Sequence, residues 1–252
     1  NISIAPPSTL TCTQTNVTLT GNSTTTGVTY QWITGPATAS NSVTAAGNYT
    51  FTVTDPSNGC TSTQNVTVTS NTLAPVVTTT VAGTITCVNN TASILAISIM
   101  PSVITWNGNL ANPATVSTGG SYTATATSTT NGCVGIGVVF VPSNTIVPNA
   151  TIATPAVLTC LTTNVSLIGI STTPGALYQW TNGPTTSTYS INSASIYTLT
   201  VTDPNNGCTN IQTATVTQNT VTPIVTTSNN GPITCLNSNI SLTGVSAGNT
   251  MV

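Results

Sequence analysis

The sequence predicts an all-β protein, a tandem array of small disulfide-stapled β-sandwiches arranged as a rod. Three observations predict it. Short segments alternate apolar and polar residues with period two, and none carries helical periodicity. Seven cysteines recur in phase with tryptophan and tyrosine, and this regular recurrence is the mark of a repeat protein. Threonine supplies 61 of the 252 residues, and its β-branched side chain favours strands.

The strands follow in order along the chain. Val17 and Leu19 alternate with threonines, and Tyr30-Gln31-Trp32 comes next. Asn48 to Thr54 puts Tyr49, Phe51 and Val53 on one face and threonines on the other, and Val66 and Val68 alternate after it. Tyr122 to Thr127, with Ala124 and Ala126 inside, and Ser195 to Val201 repeat the pattern. A polar outer face at period two means antiparallel, half-buried strands, and Gly, Pro and Asn turns between short strands indicate a β-sandwich.

Composition excludes most chemistry. There is no Lys, Arg or His, the only acids are Asp55 and Asp203, and the formal charge is −2. The usual general bases, Schiff-base amines and guanidinium clamps are missing, so no enzyme and no cofactor is expected. Nucleic acid and anionic membranes need cations that the chain lacks. No apolar run exceeds the four residues of Val138 to Val141, far short of a membrane span. With no initial Met and no signal peptide, the chain reads as a mature piece or a fragment of something larger.

The cysteines fall at 12, 60, 87, 133, 160, 208 and 235. Paired in order they predict Cys12–Cys60, Cys87–Cys133 and Cys160–Cys208, at offsets of 48, 46 and 48, with Cys235 left unpaired. The first members recur at offsets of 75, 73 and 75. Trp32, Trp106 and Trp180 follow them at offsets of 20, 19 and 20, and Tyr49, Tyr122 and Tyr197 each precede the second member by 11. A zinc site would need short Cys-x-x-Cys knuckles, usually with His, and neither is present. Each bridge would close a loop worth about 4 kcal/mol on the chain-entropy model. It would also place the protein in an oxidising, extracytoplasmic setting.

Asp55-Pro56-Ser57-Asn58-Gly59-Cys60 recurs as Asp203-Pro204-Asn205-Asn206-Gly207-Cys208, and Ser128 replaces the Asp in the middle copy. Asp, Pro and Gly in that order form turns. Calcium wants several carboxylates around one ion, and each copy has at most one, so no metal site is expected. The tryptophans could stack sugars. Ile104, two residues before Trp106 as Tyr30 and Tyr178 are before theirs, marks that face as buried, so Trp32, Trp106, Trp180, Tyr49, Tyr122 and Tyr197 are assigned to the core.

Short proline-ended linkers, Asn71 to Pro75, Asn144 to Pro148 and Asn219 to Pro223, divide the chain. They predict repeats at 1–73 (type A), 74–147 (type B) and 148–222 (type A), with the N-terminal part of a type B copy at 223–252. Tyr-Gln-Trp at 30–32 and 178–180, and Gly-x-Ile-Thr-Cys at 83–87 and 231–235, carry the alternation, each pair offset by 148. The fourth copy stops at Val252, one residue before the next Tyr-Gln-Trp, or its substitute, is due. Its missing strands belong to a parent chain, or a partner strand completes it.

Leu-Thr-Cys, Asn-Val-Thr-Leu-Thr-Gly, Tyr-Gln-Trp and Gly-Asn-Tyr-Thr-Phe-Thr-Val-Thr-Asp-Pro-Ser-Asn-Gly-Cys together resemble PKD-like and immunoglobulin-like repeats. Such repeats occur in very large surface adhesins of gliding bacteria, of the SprB type, exported by type IX secretion. The resemblance covers the whole chain, and Tyr49-x-x-x-Val53-x-Asp55 is similar to a PKD strand. Immunoglobulin domains place the second cysteine two residues after a corner tyrosine. The spacing of 11 here implies a bridge that ties a loop at one pole. The absence of Lys excludes Lys–Asn isopeptide staples.

The role expected from these features is a spacer or stalk of a long extracellular filament or cell-surface adhesin. Its partners would be neighbouring repeats of the same chain, with lateral self-association favoured by near-neutrality. The alternatives are a non-covalent filament completed by strand exchange, or an adhesive polysaccharide-binding module.

Overall fold

The computed structural model describes residues 1–247, and among them every regular element is a strand. The chain divides into two compact units, Asn1–Asn144 and Thr145–Val252. The expected stop of the fourth copy at Val252 lies outside the described residues.

The first repeat runs β1 (Ile2–Ile4), β2 (Leu10–Thr11), β3 (Val17–Ser23), β4 (Thr29–Trp32), β5 (Ser40–Val43), β6 (Gly47–Thr54), β7 (Thr61–Val68) and β8 (Ser70–Asn71). One antiparallel sheet has the order β1-β3-β5 and the other β4-β6-β7. The short β2 lies parallel to β8, with Thr11 opposite Asn71. This is an immunoglobulin-like sandwich, with an A-B-E sheet, a C-F-G sheet and an A′ strand on the end of G.

The second repeat has the same order: β9 (Val77–Ala82), β10 (Ile85–Thr86), β11 (Ala92–Ser98), β12 (Ser102–Trp106), β13 (Ala114–Val116), β14 (Gly120–Ser128), β15 (Val134–Val141) and β16 (Ser143–Asn144). The third runs β17 (Thr151–Ile152), β18 (Leu158–Thr159), β19 (Val165–Ile170), β20 (Leu177–Trp180), β21 (Thr188–Ile191), β22 (Ser195–Thr202), β23 (Thr209–Val216) and β24 (Gln218–Asn219). Their sheets match: β13-β11-β9 with β12-β14-β15, and β17-β19-β21 with β20-β22-β23. The parallel pairs β10–β16 and β18–β24 match too. After Pro223, β25 (Ile224–Asn229) and β26 (Leu242–Ala247) pair antiparallel.

Each complete sandwich encloses its own core, centred on Trp32, Trp106 and Trp180, which are 0%, 2% and 0% exposed. In immunoglobulin domains a disulfide joins strands B and F beneath such a tryptophan. Here those positions hold Leu19 with Phe51, Ile94 with Ala124, and Leu167 with Leu199, all fully buried. Apolar packing has replaced the internal bridge. The fit depends on size: a Cβ on Gly21 would collide with the Phe51 ring, and one on Gly169 with Leu199. The second repeat has Ala96 where the others have glycine, opposite the smaller Ala124, so volume is conserved.

The tyrosines are not core residues as expected. Tyr49, Tyr122 and Tyr197 are half-buried at the start of strand F, against their cores. Their hydroxyls donate to the carbonyls four residues upstream, Ala45, Thr118 and Ser193, at 2.9, 2.9 and 3.0 Å. A ring can bury its body only if the phenol finds a partner, and an upstream carbonyl at the sheet edge supplies one. They are tyrosine corners.

Candidate functional site

Two turn types present the cysteines. The first follows A′. The Thr11 amide donates to the Gln14 carbonyl (2.9 Å), and the Gln14 amide to Thr11 Oγ1 (3.0 Å), holding Cys12 at the tip. The same reciprocal pair forms between Thr86 and Asn89, Thr159 and Thr162, and Thr234 and Asn237. Cys12, Cys87, Cys160 and Cys235 are therefore held alike.

The second type is the F–G turn. Gly59 donates to the Asp55 carbonyl at 2.8 Å and Asp55 to the Cys60 carbonyl at 2.9 Å, with Gly59 at φ +72°, where a Cβ is strained. Asp55 Oδ1 accepts from the Ser57 hydroxyl (2.6 Å) and amide (2.9 Å), which hold its carboxyl below the usual range, hydroxyl first. The turn recurs at Ser128 to Cys133 and at Asp203 to Cys208, with Ser128 Oγ replacing the carboxylate. In all three, the Asn two residues before the cysteine accepts from its amide: Asn58 at 2.9 Å, Asn131 at 3.0 Å and Asn206 at 2.9 Å. The aspartates are turn formers, and each acts without a second carboxylate.

Cys12 is bonded to Cys133 of the next sandwich, 121 residues away, with Cα atoms 5.0 Å apart. The predicted Cys12–Cys60 and Cys87–Cys133 bridges are thereby overturned. Cys60 and Cys160, assigned to disulfides, are free exposed thiols, as is Cys235, so Cys160–Cys208 is overturned too. Cys87 and Cys208 are each disulfide-bonded.

The reason is geometric. Thr11 lies beside Asn71 at the end of strand G, whereas Cys60 precedes Thr61 at its start. Ten residues of strand at about 3.3 Å each separate the two poles. A disulfide tolerates a Cα separation of only about 4.4–6.8 Å. Thr86 beside Asn144 and Thr159 beside Asn219 impose the same limit on the other repeats.

The joint between the first two sandwiches is more than one bond. Asn131 Nδ2 donates to Asn71 Oδ1 and to the Leu73 carbonyl, both at 3.0 Å, and the Cys12 amide donates to the Asn131 carbonyl at 3.2 Å. Gly132 packs on the Thr13 methyl so closely that a Cβ would clash. Asn131 and Cys133 are 2% and 1% exposed. In the third repeat Asn206 Nδ2 donates to the Ile146 carbonyl at 2.9 Å, the same hold on its own preceding linker. Sequence reasoning missed the asparagine, although Asn58, Asn131 and Asn206 recur two residues before a cysteine.

Among the described residues no group of three or more His, Cys, Asp or Glu could hold a metal ion. The chemistry on offer is thiol–disulfide chemistry at the poles. Disulfides of this kind persist in oxidising compartments outside the cytoplasm.

No protein-family profile matches the chain, and no curated protein sequence does. Among solved structures, the chain is similar to Sidekick-1 immunoglobulin domains 1–5, at 11% identity and a TM-score of 0.29, over 87% of this chain and 59% of that one. It is similar to the three N-terminal domains of the bacteriophage RB49 outer capsid protein Hoc, at 13% identity and a TM-score of 0.33, over 88% and 99%. It is also similar to the eight N-terminal immunoglobulin domains of the Down Syndrome Cell Adhesion Molecule, at 12% identity and a TM-score of 0.31, over 100% and 45%.

Proposed function

We propose that this chain is a structural spacer within a long extracellular filament or cell-surface adhesin, with no catalytic role, built from repeats at 1–73, 74–147, 148–222 and 223–252. The observation that carries the reading is the Cys12–Cys133 bond, which joins consecutive sandwiches where an ordinary immunoglobulin domain staples itself. A staple between domains does nothing for a single domain's core. It restrains a linker, which is useful where many domains must act as one body. The motif resemblance makes the parent a SprB-type adhesin on a bacterial surface.

The parent's size tests this. The 252 residues account for 25.3 kDa. Run reduced and denatured on a gel resolving megadaltons, a band far above that mass is expected. A band at that mass would remove the spacer reading and favour a filament subunit that exchanges strands.

A second observation favours lateral self-association. On β15 the outward side chains are Val134, Ile136, Val138 and Phe140, each more than half exposed. An exposed apolar stripe on one strand is a surface for contact with another copy. Replacing Ile136 and Phe140 by threonine should abolish concentration-dependent association in sedimentation; unchanged association would remove this surface from consideration.

A further inference from the structure

We propose that Cys60, Cys160 and Cys235 are halves of the same inter-repeat staple, each bonded to a flanking repeat of this kind in the same polypeptide. The rule is directional: the cysteine after A′ of one repeat bonds the F–G cysteine of the next. Cys60, an F–G cysteine, takes the A′ cysteine of a preceding repeat. Cys160 and Cys235 take the F–G cysteines of the repeats after their own.

Three independent features carry this. The free thiols sit in the turns that hold the bonded pair, Cys160 and Cys235 in the Thr11-type turn of Cys12 and Cys60 in the Asn-Gly turn of Cys133. Next, Asn58 and Cys60 are exposed, while Asn131 with Cys133 and Asn206 with Cys208 are buried, although the local hydrogen bonds are the same. The turn of the first repeat is built for a contact it does not make. Last, an open cleft at Cys160 is lined by Leu161, Asn219, Val221 and Pro223. These are the counterparts, offset by 148, of Thr13, Asn71, Leu73 and Pro75. Thr13, Asn71 and Leu73 receive Gly132 and Asn131 at the first joint. The linker's part in that joint is why the partner is a repeat of the same polypeptide.

The chemistry balances with one co-reactant, the disulfide form of a thiol–disulfide oxidoreductase. One cysteine, as thiolate, attacks that disulfide and forms a mixed disulfide. The partner thiolate then displaces the carrier, so the new S–S bond forms as the mixed disulfide breaks. The carrier leaves as a dithiol, having taken two electrons and two protons.

The test is a disulfide map of the protein from its native source, alkylated before denaturation. With no Lys or Arg, digestion uses pepsin and cleavage beside aspartate. Cys60 should appear cross-linked to a Thr-Cys turn peptide, and Cys160 and Cys235 to Asn-Gly-Cys peptides, with Cys12–Cys133 beside them. Reduction should leave the polypeptide's size unchanged. Cys160→Ser should free one alkylatable thiol per chain, on an Asn-Gly-Cys peptide, and leave Cys12–Cys133 intact. Alkylated Cys60 or Cys160 in the unsubstituted protein, a Cys160–Cys208 or Cys60–Cys60 peptide, or a fall in size on reduction would each overturn the proposal. It rests on the spacer reading for its flanking repeats. Outer thiols found alkylated in a chain far larger than these 252 residues would sink the staple alone. A chain of no more than that length would sink the spacer.

Discussion

Trp32, Trp106 and Trp180 occupy one position in three sandwiches, but their indole nitrogens fare differently. Trp106 Nε1 donates to Asn112 Oδ1 at 3.2 Å and Trp180 Nε1 to the Thr186 carbonyl at 3.1 Å. Trp32 Nε1 is buried with no partner among the described residues. Of Trp32 and Trp180, replacement by Phe removes similar packing at both but a hydrogen bond only at Trp180. Trp180→Phe should therefore cost about 1 kcal/mol more than Trp32→Phe in denaturant titrations of the two variants. Equal losses would mean that the Trp32 indole is satisfied after all. Thr34 sits at φ +60°, where Asn182 stands in the third repeat and Gly108 in the second. A β-branched residue is poorly suited to that region and asparagine tolerates it. Thr34→Asn should raise stability by about 0.5–1 kcal/mol, visible as a higher melting temperature of the first repeat.

At the scale of strands, strand B of the first repeat is matched in volume to the F strand it faces. Gly21→Ala pushes a methyl into the Phe51 ring and should destabilise by about 1–3 kcal/mol. Phe51→Ala alone should cost about 3–5 kcal/mol through the cavity it leaves. The double variant recreates the Ala96–Ala124 pairing of the second repeat, so its cost should fall below the sum of the two singles. Additive losses in a double-mutant cycle would show the positions to be uncoupled. These strands were legible in the sequence because one sheet face is buried and period two reports that directly: Tyr49-Phe51-Val53 is enough to place β6. The F–G turn was legible for a similar reason, since Asp, Pro and Gly act locally. The staple was not. Spacing gives a cysteine's phase within a repeat, and Cys12 stands in the same phase relation to Cys60 as to Cys133. Choosing between them needs the knowledge that A′ and the F–G turn lie at opposite poles, a property of the folded sheet rather than of any local segment. The apolar outer face of β15 escapes a period-two reading because apolar residues stand on both faces there, with Gly135 and Gly137 buried so that Pro75 and Val77 can approach.

For the molecule as a whole, the Cys12–Cys133 bond closes a loop spanning two sandwiches, where the predicted bridges would each have closed part of one. Its removal by Cys133→Ser should cost on the order of 5 kcal/mol on the chain-entropy model. Because the loop contains most of both cores, calorimetry should show the two melting events of the first unit moving apart; a single unshifted transition would contradict this. The bond also decides where a pull would travel. Tension entering at the N-terminus reaches Cys12 and crosses the sulfur bridge to Cys133, so the backbone between them lies outside the load path. The strands from β3 to β14, and most of both cores with them, are thus shielded from stretching by one covalent shortcut, while β1, β2 and β15 still carry the load. Reduction would return that slack of about 120 residues, roughly 400 Å of contour length at full extension. The repeats would then change from an inextensible tether to one that lengthens under load.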